Sequence, residues 1–507
     1  MSTEVTADNF DIGLTPGVEV LDGVTSAARG PSQATRLVDL SSDVELFHTP
    51  EGTPFGTITF PTHHETLPVR STDFREFLAH RLYKSEGTAA NGQALENALE
   101  TISAIAQIDG KVFQVFTRVA ESGGNIYLDL GDSERQAVEV TSSGWSFVSH
   151  PPVRFRRTNG MMGLAKPEHG GSISSLRRFI NVRENDWVLF VSWLVAAFRP
   201  RGPYPILGLH GEQGSAKTTV GKVARQLIDP FKAPMRTKPR NERDLMIAAS
   251  NSYMVTLDNL SRIEPWLSDA LCRLATGGGL ATRKLYTDEE EAIFDAQRPI
   301  LLNGIEEVAV KGDLLDRMVI LSLPEISDKE RRPEAEFWKE FEAASPLILG
   351  ALLSAVSAAL KNHHTVKLEK TPRMADFAIW ASAAEIELGF KEGEFIDAYN
   401  RNRKEASDVA LESAPEAIWV YQFMQDKTMW EGTHLDLLRC LFPQLPGKGR
   451  AFPRTPKALS AVLTRLKPNL RNVGITIHSL PRKALRRCIR LERRPPAASQ
   501  QSQPSAV

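Results

Sequence analysis

A short apolar segment that runs directly into a glycine-rich loop and then into a helix constrains this chain most. Residues 206–210 read ILGLH, residues 211–218 read GEQGSAKT, and a helical pattern continues to Ile228. A strand, a glycine-rich turn and a helix in this order begin a parallel strand–helix–strand unit. Further apolar runs alternate with helical patterns from residue 176 to about 324, so the sequence predicts an α/β core on a parallel sheet.

The glycine-rich loop, residues 211–218, has the residue types that hold nucleotide phosphates. Its glycines let backbone N–H groups curve around phosphates, Lys217 supplies an ammonium for the β- and γ-phosphate oxygens, and Thr218 supplies a hydroxyl for Mg²⁺. We therefore predict a Walker A loop that binds ATP with Mg²⁺. The residues predicted to bind the nucleotide are Gly211, Glu212, Gln213, Gly214, Ser215, Ala216, Lys217, Thr218 and Thr219.

Ala216 departs from the usual pattern, which has glycine immediately before the lysine. A methyl group is tolerated there if the residue keeps a negative φ. A chance glycine-rich turn is the alternative, but the order of strand, loop and helix favours phosphate binding.

Polar residues at the ends of two later strands are the expected partners of the loop. The apolar run 253–257 ends at Asp258, which is predicted to hold Mg²⁺ through water, together with Thr218. The run 300–302 ends at Asn303, which is predicted to hold the attacking water.

Arg317 and Asn259 are further catalytic candidates. Arg317 follows Asn303 by fourteen residues and is predicted to reach the nucleotide of a neighbouring subunit, with a salt bridge to Asp313 as the alternative. Asn259 stands where ring ATPases usually have a glutamate that activates water. Glu212 or an acid from a neighbouring subunit could be the general base, and slow hydrolysis is a further alternative.

Charge is unevenly distributed along the chain. The formal net charge is −1, but residues 441–495 contain fourteen Lys or Arg and one acid, Glu492, and so carry +13. Such an end is typical of a segment that meets a polyanion. The three cysteines lie far apart and the N-terminus has no signal-peptide pattern, so we expect a cytoplasmic protein without a membrane partner.

The basic end has the element order of a winged helix. Thr455 and Pro456 begin a helix with an apolar stripe, and two strand-like segments joined by a basic turn follow. A solvated basic surface is the alternative, because most charged runs are no more than that. The predicted DNA contacts, chiefly to phosphates, are Lys457, Arg465, Lys467, Arg482, Arg486 and Arg487.

The motifs at 211–218, 258–261, 267–272, 276–286 and 303–305 together resemble a known family. They are similar to phage and mobile-element ATP-binding proteins related to superfamily 3 helicases and poxvirus-type primase-helicases, over about residues 70–490. The resemblance implies an AAA+ ATPase that forms a homo-oligomeric ring, typically a hexamer, and moves along or melts DNA during replication. Priming, where needed, would come from a separate primase.

The resemblance also implies a hairpin that points basic residues into the pore of the ring. Gly277 to Gly279 permit a tight turn, and Arg283 and Lys284 follow as predicted DNA contacts. The alternative is that these two cations pair with the acidic run 288–291.

The fold class we predict is α/β: an AAA+ P-loop NTPase core with an N-terminal α+β module, a helical lid and a C-terminal winged helix. Helical stripes at 73–84 and 91–108 and short strands up to 156 support the N-terminal module, and the apolar runs 187–198 and 346–360 predict buried helices. The predicted segments are 1–60 (flexible), 61–171 (collar), 172–330 (core), 331–412 (lid), 413–495 (winged helix) and 496–507 (disordered tail).

Two hypotheses of function follow. The first is an ATP-dependent DNA helicase of a phage or mobile element. The second is an ATP-binding switch or initiator that assembles on DNA without unwinding it, which Asn259 would permit.

Overall fold

A computed structural model of the chain describes residues 30–260, 263–283, 291–294, 297–304, 312–412, 415–441, 453, 455–472, 474–481 and 488–493. The helices are α1 (Gln33–Asp39), α2 (Thr72–Glu86), α3 (Gly92–Ile108), α4 (Glu184–Ala197), α5 (Lys217–Ile228), α6 (Glu242–Asn251), α7 (Pro265–Thr276), α8 (Gly312–Leu315), α9 (Glu334–Asn362), α10 (Ala375–Ala384), α11 (Glu394–Glu412), α12 (Pro415–Phe423), α13 (His434–Leu441) and α14 (Pro456–Asn472), and a 3-10 helix spans Ile173–Phe179.

The strands are β1 (Glu45–His48), β2 (Pro54–Thr59), β3 (His64–Pro68), β4 (Lys111–Val112), β5 (Val115–Phe116), β6 (Val119–Ser122), β7 (Asn125–Asp129), β8 (Ala137–Thr141), β9 (Gly144–Val148), β10 (Arg154–Phe155), β11 (Ile206–His210), β12 (Val255–Leu257), β13 (Leu280–Arg283), β14 (Glu291–Phe294), β15 (Ile300–Asn303), β16 (Met318–Ser322), β17 (Met429–Thr433), β18 (Ile475–Ser479) and β19 (Cys488–Arg493).

The first unit is a sheet of order β3-β2-β1-β4 covered by α1, α2 and α3. The predicted helices α2 and α3 are confirmed, and each begins at a side-chain cap, Ser71 and Asn91. The prediction that 1–60 is a flexible segment is wrong for residues 33–59.

The buried apolar residues of this segment explain the error. Leu37 and Ile58 belong to one core with Phe74 of α2. Ile58 stands between Thr57 and Thr59, and the partners of both residues in α2 and α3 come later in the chain, so the local pattern gives little sign of this core.

A second, antiparallel sheet of order β6-β7-β8-β9 packs against α9. Val138 and Val140 lie in the same core as Leu352 and Val356 of α9, and Ser357 Oγ donates to Thr141 O at 2.6 Å. Strands are present between 113 and 156 as predicted, and the apolar face of this sheet packs against α9, in a core separate from that of α2 and α3.

The centre of the chain is a parallel sheet of order β12-β15-β11-β16. Its strands are almost entirely buried, as expected for a parallel sheet covered on both faces. The predicted α/β class is confirmed. Because all four strands run in one direction, their carboxyl ends meet at one edge, where α/β proteins bind ligands.

Helices α9, α10 and α11 form one buried cluster with α4. The apolar runs 187–198 and 346–360 lie mostly in α4 and α9, and the prediction that they form buried helices is confirmed. Helix α4 packs with the region predicted as the lid. Among the described residues, α9 is the one helix long and apolar enough to cross a membrane, and 56% of that window is buried inside the protein.

The C-terminal module consists of α12, α13 and α14 and an antiparallel sheet of order β17-β19-β18. Thr455 caps α14, since its Oγ1 accepts from Ala458 N at 3.2 Å. Leu459, Leu463 and Leu466 are buried on one face of this helix. The apolar stripe predicted for this helix is therefore present.

A buried ion cluster joins the antiparallel sheet to the parallel one. Arg118, Arg225 and Asp229 are 0%, 1% and 2% exposed. Arg118 Nε donates to Asp229 Oδ1 at 3.0 Å, and Arg225 Nη2 lies 3.4 Å from Oδ2. Burial raises the pKa of the Asp229 carboxyl, but Arg225 and Arg118 outweigh burial, so this pKa lies below its ordinary value.

Replacing Asp229 by Asn would leave two buried guanidinium groups without a carboxylate. We expect Asp229→Asn to lower the free energy of unfolding by about 3–5 kcal/mol at pH 7, measured by urea denaturation. Asp43→Asn, at the exposed ion pair with Arg81, is the control and should change it by less than about 1 kcal/mol. Equal losses for the two variants would contradict the role of the cluster.

The contribution of Asp229 to the free energy of unfolding should depend on pH. The folded pKa of Asp229 is depressed, so its contribution is present above the pKa of the unfolded carboxyl and is lost as the pH falls through the folded value. The stabilities of the wild type and Asp229→Asn should therefore converge in strong acid.

Candidate functional site

Polar side chains from three neighbouring strands meet at the carboxyl edge of the parallel sheet. The glycine-rich loop follows β11, Asp258 follows β12, and Asn303 ends β15, which lies between those two strands. Asn303 Nδ2 donates to Thr218 Oγ1 at 3.1 Å and to Asp258 Oδ1. Thr218 Oγ1 donates to Asp258 Oδ2 at 3.5 Å. The structure thus brings together three of the predicted residues.

Asn303 is buried at 2% exposure, and its Oδ1 has no hydrogen-bond partner among the described residues. A buried acceptor without a partner costs free energy and usually has a functional reason. This oxygen is free to accept a hydrogen bond from a water held at the site.

The backbone of the glycine-rich loop requires its two glycines. Gly211 and Gly214 have φ values of 155° and 90°. A methyl group on Gly211 would lie 2.7 Å from both Leu323 O and Ser215 Oγ. Ser215 is fully buried and its hydroxyl donates to Glu212 O at 2.8 Å, which closes the loop on itself, while Glu212 and Gln213 are exposed.

Ala216 adopts the left-handed conformation, with φ 60° and ψ 27°. The condition of a negative φ, under which a methyl group is tolerated, is therefore not met. An alanine held there carries strain that a glycine would not.

Lys217 folds back over the loop. Its Nζ donates to Gly211 O at 2.7 Å and to Glu212 O at 2.6 Å, and lies 3.5 Å from Ser215 Oγ. Neutral carbonyls hold an ammonium more weakly than phosphate oxygens do, so these bonds can be exchanged for a nucleotide.

The residues present fit a magnesium–nucleotide pair. Ala216, which precedes α5, makes no capping hydrogen bond, so the N–H groups of the first turn, including Thr219, are available to an anion. The Thr218 hydroxyl and the Asp258 carboxylate are oxygen ligands of the kind Mg²⁺ prefers. The remaining ligands would be phosphate oxygens and waters.

Asn259 lies on a second strained turn beside the site. Its φ is 56°, and its backbone N donates to Asp258 Oδ1 at 2.9 Å. A methyl group on Gly304 would lie 2.9 Å from Asn259 Cα, so the segments after β12 and β15 touch. Asn259 itself is exposed. Its backbone thus orients Asp258, and a role of its side chain in catalysis stays a prediction.

Arg317 pairs with Asp313, as the alternative stated. The two side chains lie 2.5 Å apart, and Arg373 binds the same carboxylate at 2.5 Å and Asp316 at 3.3 Å. Burial raises the pKa of the Asp313 carboxyl, but Arg317 and Arg373 lower it by more, so this pKa lies below its ordinary value. Action of Arg317 on a neighbouring subunit stays a prediction.

The predicted DNA contacts fall at two places. Strands β13 and β14 form an antiparallel hairpin in which Arg283 is opposite Glu291, while Gly277 ends α7 and does not form the hairpin tip. On α14, Lys457 is exposed and Lys467 half-buried. Lys284, Arg482, Arg486 and Arg487, and the side chains of Arg283 and Arg465, lie outside the described residues.

Two family models match the chain. Residues 173–404 match the model described as actinomycete integrative conjugative element replication protein, and residues 417–504 match the C-terminal domain of the same replication protein, RepA. Together the two matches cover well over half of the sequence. Over these residues the chain is similar to this family of replication proteins. The resemblance to mobile-element proteins predicted from the motifs is confirmed, and no curated protein matches the chain.

The solved structures that match this chain are only distantly similar to it. The A form of the apo NrS-1 C terminal region is 12% identical, with 89% of this chain and 97% of that chain covered and a TM-score of 0.38. A structure described as SCCmec type IV Cch, active helicase, is 11% identical, with coverage of 89% and 93% and a TM-score of 0.46.

Asn181 is a residue of the site that the sequence motifs miss. Its Nδ2 donates to Ser215 O at 3.0 Å and to Pro324 O at 2.7 Å, and so ties the glycine-rich loop to the segment after β16. A single asparagine ahead of a helix carries no sequence signal of this role.

The strain at Ala216 can be measured. We expect Ala216→Gly to raise the free energy of unfolding by about 1 kcal/mol, because glycine adopts a positive φ without a steric penalty. Ala104→Gly, at an exposed position inside α3, should lower it by about 1 kcal/mol. Urea denaturation of both variants tests this, and a loss of stability in Ala216→Gly would show that the turn is not strained.

Proposed function

We propose that this protein is an ATP-dependent DNA helicase of a mobile element that works in the cytoplasm as a homo-oligomeric ring, typically a hexamer. One observation supports the ATPase above all others: Thr218, Asp258 and Asn303 contact one another, and the ammonium of Lys217 lies on the glycine-rich loop that leads to Thr218. A helix N-terminus, a lysine, a hydroxyl–carboxylate pair and a buried amide are the parts that phosphoryl transfer requires.

Each part would have a separate task. The N–H groups of the glycine-rich loop and Lys217 would hold the phosphates, and Thr218 with Asp258 would hold Mg²⁺, which neutralises charge that develops on the phosphate oxygens. The free Oδ1 of Asn303 would accept a hydrogen bond from the attacking water. Attack on the γ-phosphorus breaks its bond to the bridging oxygen and releases ADP and phosphate.

The base that takes the proton of the water comes from outside this cluster. Asp258 is engaged by Asn303 and by its own turn, and Asn259 cannot act as a base. Glu212 at the loop or an acid of a neighbouring subunit would serve. Arg317 would stabilise the neighbour's transition state after exchanging Asp313 for phosphate.

The C-terminal module is proposed to be a winged helix that binds DNA. Its order of helix, strand, two helices and two strands, with the first strand beside the last, supports this. His434, Lys457, Ser460 and Thr464 line an open groove along the exposed face of α14. The +13 charge of residues 441–495 would attract phosphates to that face.

The remaining predicted parts fit the same proposal. The β13–β14 hairpin would carry Arg283 and Lys284 to DNA in the pore, and α9 to α11 would form the lid over the nucleotide. A primase, where required, would be another chain. The alternative is a switch that binds ATP and assembles on DNA without unwinding it. This alternative is favoured because position 259 holds an asparagine, where ring ATPases usually have a glutamate.

ATPase and strand-displacement assays test the proposal. We expect DNA-stimulated ATP hydrolysis and displacement of a labelled strand by the wild type, and a loss of both of at least about 100-fold in Lys217→Ala, because the ammonium stabilises transition-state charge. Lys222→Ala, on the same helix but paired with Glu334, is the control and should keep both activities. Tight ATP binding without turnover or displacement would favour the switch.

The role of α14 is tested by salt dependence. Lys457→Ala combined with Lys467→Ala should weaken duplex binding and reduce the slope of log affinity against log salt by about 1–2, because each lost phosphate contact releases one counterion fewer. Lys391→Ala, an exposed lysine before α11, is the control. Unchanged slopes in fluorescence anisotropy would mean that DNA binds elsewhere.

A further inference from the structure

The segment that follows β16 lies against the glycine-rich loop. Leu323 N donates to His210 O at 2.8 Å, which extends the pairing of β11 and β16 by one residue. The absence of a side chain at Gly211 lets Leu323 O approach the loop. Asn181 then fastens Pro324 to Ser215. This segment is therefore fixed to the loop at its start.

The same segment brings Arg331 to the tip of the loop. A methyl group on Gly214 would lie 3.3 Å from Arg331 Nη2, so the guanidinium is directly beside the backbone of Gly214. Gly214 is exposed and has φ 90°. The guanidinium thus stands beside an exposed part of the loop that is predicted to bind phosphates.

Among the described residues, an exposed ion pair is the contact that holds Arg331 there. Its Nη1 lies 3.0 Å from Asp328 Oδ1, and the two side chains are 57% and 89% exposed. A pair this exposed contributes little to stability and is readily exchanged. Arg332, its neighbour in sequence, is different: it pairs with Glu340 at 2.6 Å and lies over the ring of Phe337.

We propose that Arg331 binds the phosphates of ATP in the site of its own subunit. This inference rests on the proposed ATPase function. On nucleotide binding the guanidinium exchanges Asp328 for phosphate oxygens, which carry more charge and match its parallel N–H donors. Lys217 at the start of α5 and Arg331 in the segment after β16 then both bind the triphosphate.

Calorimetric binding of a magnesium–ATP analogue that resists hydrolysis tests this. We expect Arg331→Ala to raise Kd by about ten- to a hundredfold, the usual effect of losing a charge-assisted hydrogen bond, and Arg331→Lys to lose less. Arg332→Ala is the matched control and should leave Kd within about twofold. The Tm of the nucleotide-free protein should not differ between these variants.

Asp328→Asn separates a ligand contact from a structural ion pair. Removal of this competing carboxylate should leave Kd unchanged or lower it a few-fold, whereas a structural role of the pair would make Asp328→Asn as weak a binder as Arg331→Ala. Equal Kd values for the wild type and Arg331→Ala would overturn the inference while leaving the ATPase proposal intact. Absence of binding by the wild type would overturn the ATPase proposal itself.

Discussion

The parallel pairing of β15 between β11 and β12 is the constraint on which the site depends. In this register Leu209 is opposite Asn303, and Leu257 is opposite Leu302. The glycine-rich loop, Asn303 and Asp258 therefore leave the sheet at nearly the same level, and the contacts among Thr218, Asn303 and Asp258 follow. A slip of one residue in β15 would turn Asn303 to the other face of the sheet.

The buried cluster around Asp229 fixes the same elements at their opposite ends. Arg225 and Asp229 end α5, which begins at the glycine-rich loop, and Asp229 Oδ2 accepts from the backbone N of Tyr253 and Met254 just before β12. The helix that carries Lys217 and the strand that ends at Asp258 are thus joined at both ends. Arg118, which immediately precedes β6 of the antiparallel sheet, also binds Asp229 and so ties that sheet to the end of α5.

The sequence predicts the elements that have a strong local signal. Gly211, Gly214, Lys217 and Thr218 mark the loop, and the apolar strands before Asp258 and Asn303 mark their places, because parallel strands end at one edge. It does not predict α1, β1 and β2, whose few apolar residues depend on partners far along the chain. It also misses Asn181 and the Asp229 cluster, which are single residues brought together only by packing, and the positive φ of Ala216 departs from the negative value that a residue with a side chain prefers.

Three local departures from low energy lie at one edge of a sheet that otherwise follows the usual rules. Ala216 and Asn259 have positive φ values, and Asn303 Oδ1 is buried without a partner among the described residues. Such departures persist only where the surrounding packing enforces them, and they concentrate at functional sites. A ligand that gives Asn303 a donor and Lys217 stronger acceptors removes part of this penalty. Nucleotide binding should therefore stabilise this edge of the sheet more than the N-terminal unit, whose described core includes none of the site residues.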